Sequence, residues 1–340
     1  MSMHDHRDYS LLHRNTFGID ACCRRFIETE SVGETRRLSE LLTPEDRPTL
    51  IIGGGSNILF TADYPGTVIH AAIRGIETHD NGDGTVTLRA GSGEKWDDIV
   101  QKCVDNGWHG AENLSLIPGE AGATAVQNIG AYGAEAADII HCVEAVELDT
   151  GRLLTFNAAE CGYGYRQSRF KSEWSGRYIV THVTYRLNKA FTPRLDYGNI
   201  REVLGKMGIA KPTAHELRQA VIDIRREKLP DTKVEGNAGS FFKNPVVSRR
   251  KYERLREKFP LMPHYSVDAG SEKIPAGWLI EQCGWKGRTS GRAGVHGRQA
   301  LVLVNRGGAT GADILELCRR IRHDVQETFE IDLQPEVNIV

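Results

Sequence analysis

The 340-residue sequence has no paired-cysteine motif and no long apolar run. Its seven cysteines are odd in number and include no C-x-x-C pair, which argues against a disulfide framework and a zinc ribbon, so we expect no metal site. Reduced thiols are typical of a reducing compartment. No apolar stretch approaches the roughly 20 residues that cross a bilayer, and the first ten residues lack the apolar region of a signal peptide. These absences predict a soluble, cytoplasmic protein.

The sequence also has no large excess of charge of either sign. Lysine and arginine number 43 and aspartate and glutamate number 45, which gives a formal net charge of −2 at pH 7. Proteins that bind nucleic acid or anionic membranes usually carry a positive field. We therefore expect neither partner, and any phosphate-binding site has to be built locally.

Glycine is the residue in excess, since 36 of 340 is about 11%, against an average of roughly 7%. A short apolar run at 49–52 ends at three glycines and predicts a buried strand that enters a loop. Segments 67–73 and 85–91 are rich in β-branched residues and are separated by an Asn-Gly-Asp-Gly sequence, which predicts a hairpin. Further strands are predicted at 138–148, 152–156 and 177–187.

Three segments have the apolar spacing of amphipathic helices. The first begins at Trp96, and capping boxes at 213–216 and 310–313 begin the other two. The stretch 231–300 is glycine-rich and basic, and we interpret it as a separate small domain. The mixture of elements predicts an α+β fold without regular βαβ alternation.

Two glycine-rich segments have the composition of a dinucleotide site. In GGGSN at 53–57, the glycines allow backbone N–H groups to face an anion, and Ser56 and Asn57 add donors. Ile58 breaks the Rossmann pattern, and no P-loop motif occurs. The second segment, IPGEAGATAVQNIGAYG at 117–133, suits a backbone lying against a flat polar ligand. A glycine-rich turn and a tightly packed short helix are the structural alternatives.

Four polar positions are also candidates, although each has an ordinary structural explanation. Ser240 lies among glycines and phenylalanines, outside the G-x-S-x-G pattern of hydrolases, where a cap or turn serine is common. Arg166 lies in a segment, 162–171, with either an anion-binding or a merely solvated basic composition. Gln299 precedes an apolar strand, and Glu336 is predicted inside a terminal apolar strand.

Taken in order, these segments resemble the UDP-N-acetylenolpyruvoylglucosamine reductase (MurB) family, flavoenzymes that complete UDP-N-acetylmuramic acid in bacterial peptidoglycan synthesis. The resemblance extends from about Asn15 to Val337, and the segments around Ser240 and Tyr132 are specific to the family. LDYGNI at 195–200 is similar to the tyrosine loop of its type I branch. The motifs are NTFGID (15–20), GGGSN (53–57), IPGEAGATAVQNIGAYG (117–133), GYGYRQSRFK (162–171), KLPD (228–231), GNAGSFFKNPVV (236–247), AGWLIEQCGWKG (276–287), VHGRQALVLVN (295–305) and PEV (335–337).

The resemblance implies an α+β fold with a two-subdomain FAD-binding module of the vanillyl-alcohol-oxidase (PCMH) type and a smaller α+β substrate-binding domain. We expect the first FAD-binding subdomain at 1–72 and the second at 73–229, the latter completed by a C-terminal strand at 330–340. The substrate-binding domain is expected at 230–329. Such a fold explains why no Rossmann fingerprint is present.

The resemblance also implies one non-covalent FAD, with NADPH as co-substrate. Flavin N5 is expected to deliver the hydride that reduces UDP-N-acetylglucosamine enolpyruvate to UDP-N-acetylmuramate. We expect the FAD pyrophosphate on the backbone amides of 53–57, and segment 117–133 along the isoalloxazine and ribityl groups. The expected FAD contacts are Gly53, Gly54, Gly55, Ser56, Asn57, Ile117, Thr124 and Gly130.

Seven side chains receive roles by the same match. Ser240 is the expected proton donor, and Arg166 is the fixed cation for the substrate carboxylate. Glu336, if burial keeps it protonated, donates a hydrogen bond to that carboxylate. These groups stabilise or protonate the negative charge that hydride addition creates on the substrate. The positions expected to bind the diphosphate, uridine or enolpyruvyl carboxylate are Tyr197, Lys228, Asn244 and Gln299.

Two other functions fit parts of the sequence. An FAD oxidase of the same fold could act on another alcohol or sugar, although the Ser240 segment and the Tyr197 loop count against it. A flavin or nucleotide-sugar sensor without turnover is a second alternative, which the catalytic set of Arg166, Ser240 and Glu336 disfavours. The expected partners are the UDP-sugar enolpyruvyl ether and NADPH, bound by a monomer.

Overall fold

The computed structural model describes residues 3–340, whose contacts divide into two compact units. Unit one contains the described residues up to Tyr9 together with Cys23–Gly55 and Tyr64–Glu227. Unit two contains Ser10–Cys22, Ser56–Asp63 and Lys228–Val340. Residues 330–340 therefore lie in the same unit as 230–329, and the finer division into three domains stays a prediction.

Strands and helices are mixed along the described chain, as the α+β prediction requires. The strands are β1 (His4–Ser10), β2 (Cys22–Thr29), β3 (Thr49–Ile52), β4 (Ile58–Leu59), β5 (Tyr64–Ala71), β6 (Ile76–Asp80), β7 (Thr85–Gly91), β8 (Gly130–Ala131), β9 (Ala134–Glu135), β10 (Ile140–Glu147), β11 (Leu153–Asn157), β12 (Tyr178–Asn188), β13 (Gly236–Ser240), β14 (Val246–Ser248), β15 (Tyr265–Asp268), β16 (Ser271–Lys273), β17 (Thr289–Ser290), β18 (Ala293–Val295), β19 (Val302–Asn305) and β20 (Asn338–Ile339). The α-helices are α1 (Val32–Leu41), α2 (Trp96–Asp105), α3 (Ala121–Gln127), α4 (Ile200–Lys206), α5 (Ala214–Lys228), α6 (Arg249–Lys258), α7 (Ala276–Gln282) and α8 (Gly311–Phe329).

Unit one is built on two larger sheets. The first has the order β1-β2-β5-β3, with β2 and β3 both parallel to β5. The second has the order β11-β10-β12-β7-β6 and is antiparallel throughout. The central strand β12 buries nearly every residue, which its β-branched and aromatic sequence favours. A core of buried side chains joins this sheet to α2 and α3.

Unit two has a four-stranded antiparallel sheet, β13-β19-β18-β17, against which α8 packs. A smaller antiparallel sheet, β14-β16-β15, lies beside α6, and β20 pairs in parallel with β4. The predicted capping boxes of α5 and α8 are both present. At the start of α8, the backbone N–H of Asp313 donates to Thr310 Oγ1, and the backbone N–H of Thr310 donates to Asp313 Oδ2.

A hairpin is present before α2, as predicted, but the predicted position of its first strand is wrong. Strand β6, not segment 67–73, pairs with β7. Most of segment 67–73 belongs to β5, which is buried between β2 and β3. The largely apolar sequence of β5 is typical of such a parallel strand, whereas the exposed, polar β6 suits the edge of an antiparallel sheet. None of the helices among residues 3–340 is long and apolar enough to cross a membrane.

Candidate active site

The loop that follows β3 lies directly against the second glycine-rich segment, within unit one. A Cβ atom at Gly53 would lie 3.3 Å from Glu120 Oε2 and 3.5 Å from Ala123 Cβ, and one at Gly54 would lie 3.6 Å from Gly119 Cα. Gly55 has φ +64°, a conformation that side-chain-bearing residues rarely adopt. The structure therefore brings the two segments together, with a tight approach at Gly53 and van der Waals contact at Gly54.

The second segment reaches this position through a short helix packed tightly on strand residues. A Cβ at Gly122 would lie 2.9 Å from Ser92 Cβ, and the Gly122 amide donates to the Ser92 carbonyl. Thr124 is buried, and its hydroxyl bonds the Ala121 carbonyl and Tyr185 Oη at 2.7 Å each. The short-helix alternative is thus also correct for 121–127, and a contact between Thr124 and FAD would have to use its backbone. Ile117 packs at the edge of the core.

Two guanidinium groups hold the backbone on either side of this helix. Arg166, at φ +55°, donates from Nη2 to the Gly130 carbonyl, and a Cβ at Gly130 would lie 2.6 Å from Arg166 Nη1. Arg225, on α5, donates from Nε to the Leu116 carbonyl at 3.2 Å. Burial lowers the pKa of the Arg225 guanidinium, and interactions with the Tyr132 side chain and the Asp97 carboxylate oppose that shift. These cations supply the local positive charge that the whole chain lacks.

Tyr197 lies in the same unit, beside the end of the second glycine segment. A Cβ at Gly133 would lie 3.2 Å from Tyr197 Cβ, so glycine at position 133 allows the tyrosine loop to approach. The tyrosine itself is 42% exposed and can reach a ligand from the surface. Tyr197 therefore adjoins the hairpin formed by β8 and β9, of which Gly130 is the first residue.

In unit two, Ser240 is the last residue of β13 and not a helix cap or hairpin-turn residue. The ladder between β13 and β19 is irregular between Asn237 and Ser240, where Gly239 has φ +70°. Irregularities of this kind re-aim the side chain that follows them. Beyond Ser240 the chain continues to pair through the Phe241 amide, which donates to the Leu301 carbonyl.

Glu336 lies in the same unit, next to the Ser240 strand, but its predicted place inside a terminal strand is wrong. The Glu336 amide donates to the Phe241 carbonyl at 2.8 Å, and its own carbonyl accepts from Asn57 Nδ2. Only an isolated bridge, between Phe242 and Pro335, precedes it, and β20 begins at Asn338. Proline has no N–H to extend a ladder, which explains why the apolar run does not form a strand.

Two more of the predicted site residues, Asn244 and Gln299, each lie near the start of α7. Asn244 Oδ1 accepts from the Ala276 amide at 2.9 Å, and Gln299 Oε1 accepts from the Leu301 amide at 3.3 Å. A Cβ at Gly277 would lie 3.1 Å from Gln299 Oε1. Ser240, Asn244, Gln299 and Glu336 are thus grouped around β13 and α7. Lys228 is the last residue of α5, as the sequence predicts.

Four further polar residues at the glycine segments were not predicted from the sequence. Arg225 is one, and the others form a buried chain in which Glu28 and Glu120 flank His70. The available signals were a histidine within the apolar sequence of β5 and a glutamate within a glycine-rich segment. Neither signal identifies its partners, because those partners lie far along the chain.

The comparisons with known proteins agree with this arrangement. Residues 24–157 match the family described as FAD binding domain, and residues 230–340 match UDP-N-acetylenolpyruvoylglucosamine reductase, C-terminal domain. UDP-N-acetylenolpyruvoylglucosamine reductase of Bacteroides fragilis is 51% identical over 335 residues, with 98% of this chain and 99% of the relative covered. The Burkholderia vietnamiensis reductase is 46% identical over 331 residues, with 97% and 95% covered.

Solved structures give the same result at the level of the fold. UDP-N-acetylenolpyruvylglucosamine reductase (MurB) of Thermus caldophilus superimposes with a TM-score of 0.68 at 25% identity, covering 100% of this chain and 99% of that one. 6-Hydroxy-D-nicotine oxidase of Arthrobacter nicotinovorans has a TM-score of 0.51 at 11% identity, covering 90% and 80%, and shows the fold alone.

The fold is thus an α+β flavoprotein fold of the vanillyl-alcohol-oxidase (PCMH) type, as predicted, and the chain is an oxidoreductase with an FAD-binding domain. That domain covers both glycine-rich segments. More particularly, the chain belongs to the UDP-N-acetylenolpyruvoylglucosamine reductase family.

The close approach at Gly53 gives a test of the cofactor site. Gly53→Val should weaken FAD binding by about tenfold or more, because clashes of this kind cost about 1–3 kcal/mol and separate the two segments. Gly205→Val in α4 is the control, since a Cβ there would meet nothing within 4 Å. Flavin fluorescence titration of the apo-protein measures both affinities. Equal affinities in the two variants would contradict the placement of FAD.

Proposed function

We propose that this protein catalyses the NADPH-dependent reduction of UDP-N-acetylglucosamine enolpyruvate to UDP-N-acetylmuramate. When bound, FAD supplies the hydride, received from NADPH and delivered from flavin N5 to the enolpyruvyl double bond. The observation that carries the proposal is the hydrogen bond from the Glu336 amide to the Phe241 carbonyl, which holds the proposed acid and the proposed carboxylate ligand on adjacent stretches of chain. The family relationship over nearly the whole length supports it.

Ser240 is the group we assign to proton donation. Hydride addition at the methylene carbon leaves charge on the neighbouring carbon, which then has to accept a proton. A hydroxyl is a weak acid, but a carbanion-like carbon is a strong base, so the transfer is chemically reasonable. The irregular ladder before Ser240 supports the role, because it orients the side chain from a rigid strand and not from a mobile loop.

Arg166 and Glu336 are assigned to the substrate carboxylate. The hydrogen bond from Arg166 to the Gly130 carbonyl fixes the guanidinium, which is always charged and has a planar fork of donors suited to a carboxylate. We propose that Glu336 acts as a neutral donor to the same group. Both hydrogen bonds strengthen as negative charge builds up on the substrate, which stabilises the transition state.

The remaining side chains are assigned to the nucleotide part of the substrate. The carbonyl oxygens of Asn244 and Gln299 already accept backbone N–H groups, so their NH₂ groups are the donors we assign to substrate oxygens. Lys228 can meet the diphosphate as a point charge at the end of α5. Tyr197, which is partly exposed, can donate its hydroxyl. We further propose that the protein acts as a monomer and that it is cytoplasmic. The seven free cysteines support the second part, because reduced thiols are typical of a reducing compartment.

An oxidase of the same fold and a sensor without turnover remain the alternatives, and one anaerobic experiment separates all three. NADPH is added to the flavin-loaded protein, the flavin absorbance is followed, and the enolpyruvyl substrate is then added. If the protein is a reductase, NADPH bleaches the flavin absorbance and the enolpyruvyl substrate restores it without oxygen. Recovery only after admission of air would indicate an oxidase, and the absence of any turnover would indicate a sensor.

The role assigned to Ser240 predicts different effects of its substitution on the two half-reactions. Ser240→Ala should leave flavin reduction by NADPH near wild type, because that step needs no carbon acid. Reoxidation by the enolpyruvyl substrate should slow by about 10²–10⁴-fold, which is typical of lost acid catalysis. Ser240→Cys should recover part of this loss, since a thiol is the stronger acid. Stopped-flow absorbance measures each half-reaction.

Ser271→Ala is the matched control, because Ser271 lies on β16, outside the group around β13 and α7. Both of its half-reactions should be unchanged. If Ser240→Ala slows only the NADPH step, or neither step, Ser240 is not the acid.

A further inference from the structure

A carboxylate, an imidazole and a second carboxylate form a buried chain at the carboxyl end of the parallel sheet. His70 on β5 stands opposite Glu28 on β2 in the register of the two strands. His70 Nδ1 lies 2.7 Å from Glu28 Oε2, and His70 Nε2 lies 2.9 Å from Glu120 Oε2. The opposite neighbour of His70, on β3, is Ile52, the residue before Gly53. We call Glu28, His70 and Glu120 the carboxylate–histidine clamp.

The surroundings of the clamp favour a protonated imidazole. The side chains of His70, Glu28 and Glu120 are only 7%, 16% and 12% exposed, so water screens their charges weakly. A carboxylate oxygen at each ring nitrogen is fully satisfied when both nitrogens carry hydrogen. Burial lowers the pKa of His70, but the hydrogen bonds and charges of Glu120 and Glu28 outweigh it, so the pKa is raised above its ordinary value.

The charged neighbours of the ring come from two elements. Glu28 faces it from β2, and Glu120 faces it from the residue before α3. Ile52 on β3 carries no charge, and Lys95, which bridges Glu120 through the backbone, has an exposed side chain. With His70 protonated the clamp therefore carries about one negative charge, and without that proton about two.

The second carboxylate of the clamp touches the proposed pyrophosphate loop. Glu120 Oε2 lies 3.3 Å from the Cβ position of Gly53, and the Glu120 side chain also adjoins Gly54. The same oxygen binds His70, so one atom joins the parallel sheet to the contact between the two glycine segments. A carboxylate next to an anionic pyrophosphate is repulsive unless a cation balances it.

We propose that His70 and Glu120 are positioning residues for FAD: the imidazolium holds and neutralises Glu120, which fixes segment 117–133 against the 53–57 loop and lets the loop accept the pyrophosphate. This inference rests on the proposed use of FAD. It adds that the affinity for FAD depends on the charge of a histidine that the reaction itself does not use.

The direction of the pH dependence follows from the charges. Binding of the anionic pyrophosphate beside Glu120 favours the protonated form of His70, so the pKa of His70 is higher with FAD than without it. A group whose pKa is raised by binding contributes fully to the binding free energy at low pH. That contribution is lost as the pH rises through the raised pKa. FAD affinity should therefore be highest in mildly acidic solution and decrease as the pH rises.

The experiment measures the dissociation constant of FAD from the apo-protein between pH 5.5 and 8.5. Wild type should bind about tenfold more weakly at the high end, because a change of one pKa unit on binding corresponds to a tenfold change. Glu120→Gln, which removes the charge but keeps the side-chain shape, should flatten the profile. His70→Gln should also flatten it and should weaken binding at pH 5.5.

His109→Gln is the matched control, because His109 pairs with Glu112 in the same unit and Glu112 lies outside both glycine segments. It should keep the slope of the wild type. A pH-independent affinity in the wild type, or an unchanged slope in Glu120→Gln, would overturn the proposal and leave the clamp as a stabilising ion pair. A flat profile in the control would overturn its assignment to His70.

A second readout does not need FAD at all. ¹⁵N resonances of the His70 ring in the apo-protein should show both nitrogens protonated near pH 7, and a neutral ring there would overturn the proposal. If the apo-protein binds no FAD at any pH, the proposed function fails, and this titration still reports the charge of the clamp.

Discussion

The contact between the two glycine-rich segments is the constraint on which the proposed cofactor site depends. A Cβ at Gly53 would lie within 3.5 Å of Glu120 and Ala123, and one at Gly54 would be in van der Waals contact with Gly119. The contact brings the backbones of two glycine-rich segments close together in a sequence that has neither a Rossmann fingerprint nor a P-loop motif. Because the chain has almost no net charge, the phosphate site has to come from such local geometry.

The residues proposed for catalysis depend on a comparable local arrangement in unit two. The irregular ladder at Gly239 orients Ser240, and the hydrogen bond from Glu336 to the Phe241 carbonyl keeps the carboxyl beside the same strand. In unit one, the Arg166 guanidinium donates to the Gly130 carbonyl, which ties it to the second glycine segment.

The sequence predicted the locally determined features well. Apolar spacing and capping boxes located α2, α5 and α8, because such signals depend on neighbours within a few residues. The family resemblance supplied the PCMH-type fold, which no local pattern indicates. Pairing between distant segments could not be predicted. The strand predicted to pair with β7 was wrong, because segment 67–73 pairs in parallel with the earlier strands β2 and β3.

The site shows the same division. The loop after β3 was expected from its glycines, but the bond between His70 and Glu120 spans 50 residues and depends on the register of β5 in its sheet. The apolar run around Glu336 suggested a strand, but the structure has only an isolated bridge at Pro335, because proline has no N–H to extend a ladder. The family resemblance assigned roles to Ser240 and Arg166, which stay predictions, whereas the backbone contacts around them required the structure.

Hydrogen–deuterium exchange with and without FAD tests the central claim, that the two glycine segments together form the cofactor cradle. Amide protection on FAD binding should concentrate in 53–57 and 117–133, with little change in the β14-β16-β15 sheet of unit two. Protection of one segment without the other, or protection mainly in that sheet, would contradict the account.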